Sequence, residues 1–171
     1  NPRGIWFTAG SSTQSVRIIN NLLYDNSNEA ILLNFGRNSQ VINNTIYQAV
    51  GDAVTVQNTS GVQIQNNILW GEIGTLLTVL SNGQSGLVSD HNLFFQDGPT
   101  ADVVIGNWGG VVLETLTEWR NTTTQDANSS TGDPMVLDSD GADNVLGGPG
   151  VPEGSGEDDN FGLGQNSAAI D

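Results

Sequence analysis

The stretch Ile64-Gln65-Asn66-Asn67-Ile68-Leu69-Trp70 decides the fold, because the chain repeats it on either side. The second Asn of the pair stands at Asn21, Asn44 and Asn67, and an Asn returns at Asn92, in steps of 23, 23 and 25 residues. Two residues after each comes an apolar side chain: Leu23, Ile46, Leu69 and Phe94. The next position is aromatic: Tyr24, Tyr47, Trp70 and Phe95. Three columns kept at one period mark a repeat whose units stack into a solenoid.

Each unit contains short runs of period-two alternation. Val16 and Ile18 flank Arg17, and Val62 and Ile64 flank Gln63, as in a half-buried strand. A second strand is expected through Leu23, Ile46, Leu69 and Phe94. A third is expected through Ile31–Leu33, Val54–Val56, Leu77–Val79 and Val103–Ile105. Three short strands per turn predict an all-β parallel β-helix of four to five coils, stacked at about 4.8 Å. The Leu-x-x-Leu-x-Leu pattern of leucine-rich repeats is absent. Asn fits the bend because it tolerates left-handed backbone, and Asn side chains stacked coil on coil can bond to one another. Gly4-Ile5-Trp6-Phe7 resembles the third strand of later repeats, so the chain opens in mid-coil. Two readings follow from that. The first coil is an irregular cap, or preceding coils belong to a longer protein.

Beyond the repeat, Thr115-Leu116-Thr117-Glu118 reads as a capping box opening a short helix to about Arg120, with Leu116 and Trp119 facing the body. Thr122 to Thr131 is polar, without a period, and reads as loop. Residues 1–106 are therefore assigned to the coils. Residues 107–171 are assigned to a helix and an acidic tail packing on the same domain. The closing apolar residues Phe161, Leu163 and Ile170 predict a final strand returning to the body.

Composition narrows the function classes. Four Arg, no Lys and nineteen acids give a formal charge of −15, which repels phosphate backbones and excludes nucleic acid as an expected partner. No apolar run is long enough to span a bilayer, so membrane insertion is not expected. There is no Cys for a disulfide or thiolate site.

The repeats carried by Ile18-Ile19-Asn20-Asn21, by Ile64 to Trp70 and by Ser89-Asp90-His91-Asn92-Leu93-Phe94-Phe95 resemble the right-handed parallel β-helix proteins, the group that includes pectate and alginate lyases. Glu118-Trp119, Gly132-Asp133-Pro134-Met135-Val136-Leu137-Asp138, Asp158 to Phe161 and Ser167-Ala168-Ala169-Ile170-Asp171 look like the C-terminal end of large secreted bacterial β-helix proteins. The resemblance implies an extracellular or cell-surface domain for polysaccharide recognition or a rigid structural role. The alternative it implies is a cation-assisted polysaccharide lyase. Lyases of this fold use Lys or Arg as the base, and here Arg3, Arg17, Arg37 and Arg120 do not cluster in sequence, although Arg17 and Arg37 are spaced as neighbours on adjacent turns. Related polygalacturonases use clustered Asp, for which Asp90 and Asp102 of one coil are the available pair. His91 takes the place of the bend residues Asn20, Asn43 and Asn66, which reads as structural. The enzyme reading of this chain is accordingly the lesser one.

Two features point to specific binding. Asp138-Ser139-Asp140-Gly141-Ala142-Asp143 places oxygen ligands at alternate positions before a Gly, as at the start of a calcium loop, with Asp158 or Asp159 able to complete the shell. Calcium would there tie down a stretch in which ten acids meet no base. The column Tyr24, Tyr47, Trp70, Phe95 is expected on the outer face. It is a candidate platform for sugar rings, or a self-stacking ladder covered by the helix or the tail.

Overall fold

The computed structural model describes residues 3–10, 13–98, 103–147, 151–152 and 154–170. In chain order, the first coil contains β1 (Ile5–Thr8), β2 (Arg17–Ile19) and β3 (Leu22–Leu23). The second contains β4 (Ile31–Arg37), β5 (Gln40–Ile42) and β6 (Thr45–Gln48), and the third β7 (Val54–Ser60), β8 (Gln63–Gln65) and β9 (Ile68–Gly71). The fourth contains β10 (Gly74–Val79), β11 (Val88–Asp90) and β12 (Leu93–Gln96). The last turn is β13 (Val103–Trp108), β14 (Val111–Leu113), α1 (Leu116–Thr123) and β15 (Ser130–Thr131), and the tail adds β16 (Val136–Asp138) and β17 (Asn160–Leu163).

Stacking the coils makes three sheets. Sheet A runs β1-β4-β7-β10-β13-β14, sheet B runs β11-β8-β5-β2, and sheet C runs β15-β12-β9-β6-β3. The pairs between coils are parallel and in register, as in Val41↔Ile64 and Ile46↔Leu69. This is the expected parallel β-helix. Its interior is a stack of aliphatic rungs: Ile31, Val54 and Leu77 from sheet A, Val41 and Ile64 from sheet B, Ile46, Leu69 and Phe94 from sheet C, all almost fully buried. In the first coil Ile5, Phe7, Val16 and Leu23 occupy the same inward columns but remain half-buried, since one neighbouring coil covers them instead of two.

The far end is closed. α1 begins with the expected capping box: Thr115 Oγ1 accepts from Glu118 N, and Glu118 Oε2 accepts from Thr115 N. The helix runs three residues past Arg120, and Trp119 is wholly buried beneath it. Here the sequence-based register needs correcting. Leu77 pairs with Gly106 and Val79 with Trp108, not with Val103 and Ile105. The cause is Trp119: a Cβ on residue 106 would lie 2.2 Å from its ring, so the only residue without a side chain takes the Leu77 position. β13 consequently runs across the 106/107 boundary and turns into the antiparallel β14.

The supposed loop at 122–131 also needs correcting. Ser130–Thr131 pairs in parallel with Leu93 and Phe94 as β15, a further rung of sheet C. The expected final strand exists as β17, but it pairs with β16 as an antiparallel hairpin rather than extending a coil. That hairpin lies against the outside of sheet C, where Phe161 meets Tyr24 with ring centroids 4.8 Å apart.

Candidate functional site: a polar groove along the bend

The bend between sheets B and C is built from two adjacent columns. Asn20, Asn43, Asn66 and His91 all have left-handed backbone, with φ between 55° and 58°. Asn reaches this region more readily than most residues, which explains its recurrence. The left-handed residue turns the following Asn inward. Asn67 Oδ1 accepts from the backbone N of Asn44 at 2.9 Å and from Asn44 Nδ2 at 3.0 Å. Asn44 serves Asn21 in the same way, and Asn92 serves Asn67. The ladder ends on Asp126 and Ser129. Asn92 Nδ2 donates to Asp126 Oδ1, and Ser129 Oγ accepts from Asn92 N. The inward column therefore satisfies buried backbone groups, as expected for stacked Asn.

The left-handed column stays in solvent. Asn43, Asn66 and His91 form the floor of a groove of about 440 Å³ that runs across three coils. Asn128 lines its end, and Leu163, Ala168 and Ala169 of the tail form one wall. Asn128 donates to Asp90 from its backbone N and from Nδ2, each at 2.8 Å, while His91 Nδ1 lies 3.3 Å from Asp90 Oδ2. Burial pushes the Asp90 carboxyl up, but these hydrogen bonds outweigh it and hold the group below its usual 3.8. The groove thus offers side-chain amides at neighbouring coils, each both donor and acceptor. Sequence reasoning treated this column as structural. Its solvent-facing role was legible only in the doubling Asn-Asn: one Asn must turn in and the other out.

The aromatic column is brought together as expected, but under cover. The Tyr47 and Trp70 centroids lie 4.2 Å apart, and Trp70 and Phe95 lie 5.9 Å apart. Phe161 packs on Tyr24 and on Tyr47; Tyr47 is 9 % and Trp70 8 % exposed, while Tyr24 and Phe95 are half-buried. Of the two expectations for the column, the covered ladder is the one this packing resembles, with the tail and not α1 as the cover. Burial, and then a hydrogen bond to Glu72, push the Tyr47 hydroxyl well above its usual range.

The acidic tail residues hold backbone. Asp158 Oδ2 accepts from Ala142 N at 2.8 Å and Asp143 N at 3.3 Å, and Asp143 Oδ1 accepts from Val145 N. Asp159 Oδ2 accepts from Gly147 N, while its Oδ1 is buried without a partner. Asp138 ends β16 and is exposed, and Asp140 lies near enough to Tyr47 to disfavour its ionised form. Among the described residues no three His, Asp or Glu side chains converge as metal ligands. Gly148, Pro149, Gly150 and Glu153 of this loop lie outside the described residues.

The arginines are dispersed. Arg3 pairs with Glu29 at 2.6 Å and lies over the Trp6 ring. Arg120 donates to the carbonyls of Asp126 and Ser129. Arg17 sits on sheet B opposite Gln40, whereas Arg37 sits at the end of β4 opposite Ser60, so their spacing does not place them on one face. Asp102, considered with Asp90, lies outside the described residues. A second outward amide ladder was missed: Asn58 Nδ2 donates to Asn34 Oδ1 and Asn82 Nδ2 to Asn58 Oδ1. Its signal was a step of 24 residues, hidden because Asn34, Asn58 and Asn82 sit in otherwise dissimilar contexts. Among the described residues no helix is long and apolar enough to cross a membrane.

A family model described as a right-handed β-helix region matches residues 1–117. Neither the curated proteins nor the solved structures yield a match.

Proposed function

From the premise that this chain belongs to the right-handed β-helix family, we propose that it is an extracellular or cell-surface domain that binds a polysaccharide along its bend. The observation that carries this is the groove of about 440 Å³ with Asn43, Asn66 and His91 on its floor. Amides donate and accept, as sugar hydroxyls do, and a repeated coil presents the same pair of groups at each step of about 4.8 Å. A chain of repeated sugars is the natural counterpart of a column of repeated amides. The formal charge of −15 selects against polyuronates and in favour of neutral or amine-bearing glycans. The scaffold beneath is stiffened because the first four coils are bonded to one another in three sheets and the last turn to the fourth coil in two.

A glycan-array screen tests this, followed by calorimetry on Asn43→Gly and Asn66→Gly. Gly retains the left-handed backbone and removes only the amide. Lost glycan binding with an unchanged melting temperature is expected. Binding that survives both substitutions refutes the groove.

A further inference from the structure

Among the described residues other than Gly that hold left-handed backbone, only two are large and apolar: Phe35 at φ 56° and Met135 at φ 49°. Sterics disfavour bulky side chains in that conformation. Burial of the side chain could offset the strain, but Phe35 is 51 % and Met135 43 % exposed. At the register of Phe35 the next coil carries Asn58, a residue suited to its φ of 50°. Strain and exposure together, at two places, indicate contacts that a single chain does not supply.

The two places differ in charge. Phe35 lies near the end of β4 in sheet A, and Arg37 closes that strand, exposed and without an ion pair among the described residues. Met135 lines a cleft of about 550 Å³ on the other side of the tail strand from the groove, where Leu163 lines the groove and Gly164 this cleft. Trp70, Phe95 and Leu137 give the cleft apolar walls, and Asp97 and Asp133 give it exposed carboxylates. No basic side chain is among its lining residues. The chain as a whole is divided in the same way: three of the four Arg but only two of the nineteen acids lie in residues 1–50. Phe35 belongs to sheet A and the cleft opens on the outer side of sheet C, so the two cannot meet within one molecule.

We propose that copies of this chain associate head to tail, with Phe35 of one entering the cleft of the next against Met135, Leu137 and Phe95, and Arg37 pairing there with Asp97 and Asp133. The ring gains thioether and aromatic contacts, and the guanidinium gains carboxylates. An anionic polymer would answer Arg37 and leave the Phe35 ring in water. The cleft supplies the apolar wall and the charge together. The contact joins two different surfaces, so each pair keeps one of each free and can grow. It does not involve the bend groove and is independent of glycan binding.

Sedimentation of the whole chain, at concentrations up to about 1 mM, tests this. The wild type is expected to gain mass with concentration, and less so in high salt. Asn suits left-handed backbone, so Phe35→Asn and Met135→Asn should melt no lower than wild type. Each should nevertheless weaken association by about tenfold or more. Arg37→Glu, at an exposed position, should weaken it by a similar factor without disturbing the fold. Phe35→Asn keeps an intact cleft and Met135→Asn keeps an intact Phe35. An equimolar mixture of the two should therefore form a one-to-one pair that grows no further. A wild type that stays monomeric throughout overturns the proposal. So does association that survives Phe35→Asn or Met135→Asn at wild-type strength, or a mixture no more associated than its two parts.

Discussion

Asn67 carries more of the fold than its polarity suggests. Its side chain accepts two hydrogen bonds from Asn44 and donates one to Val41 O at 2.9 Å, all away from water. Asn67→Ala strands the buried N–H of Asn44 and should destabilise by about 3 kcal/mol. Asn21 sits on the half-covered first coil, where its Nδ2 donates to Asn44 Oδ1. Asn21→Ala should therefore cost about 1 kcal/mol. Urea unfolding measures both, and equal losses would contradict the ladder. The same column shows what was legible in sequence. A polar residue recurring among aliphatics at a constant step has to be bonded to its own copies. The doubled Asn says that the neighbour turns outward, but that its outward face would meet the tail as the floor of a groove could not be read, since the tail is distant in sequence.

Asp97 behaves in the opposite sense. Its folded-state pKa lies above 3.8, chiefly through burial and then through Glu72 and Asp133. The folded state binds the proton more tightly than the unfolded chain, so Asp97 lowers stability as pH rises from below 3.8 through the folded value. Asp97→Asn should melt higher than wild type at pH 7, and the difference should shrink towards pH 3. A difference independent of pH would contradict the account. Asp90 runs the other way: its depressed carboxyl contributes stability that is lost as pH falls through the folded pKa.

At the scale of elements, the last turn explains why periodicity misled. α1 is inserted into the coil, and the chain returns to the ladder only at Ser129, 37 residues after Asn92. A period broken by an insertion of that size is invisible to column counting, and Ser129 carries the rung with a hydroxyl instead of an amide. The insertion is paid for in the neighbouring strand, where Gly106 makes room for Trp119. Gly106→Ala should lower stability by about 2 kcal/mol through that contact. Trp119→Leu should relieve the added strain, so that the double variant is more stable than the sum of the single losses predicts. Additive losses in thermal melts would place the strain elsewhere. The tail hairpin makes the complementary point. Phe161 and the aromatic column were both conspicuous, but nothing local says that they touch. The column's periodicity identified a surface of sheet C, and the tail decided that it would be covered.

For the molecule as a whole, the division of labour follows from the geometry. The inward columns make a rod, α1 and β15 close one end, and the tail hairpin leaves a polar groove on one side and an acidic, aromatic cleft on the other. The fold was legible because a solenoid repeats its own evidence. The groove was not, because it forms where a repeated column meets a segment outside the repeat. The central claim is that glycan contacts the outward amides of that column. Side-chain amide resonances of the 15N-labelled protein test it most directly. During titration with a glycan selected from the array, the Nδ2 signals of Asn43 and Asn66 should shift together and saturably, while those of the inward Asn44 and Asn67 stay in place. Shifts that spare Asn43 and Asn66 would contradict the account.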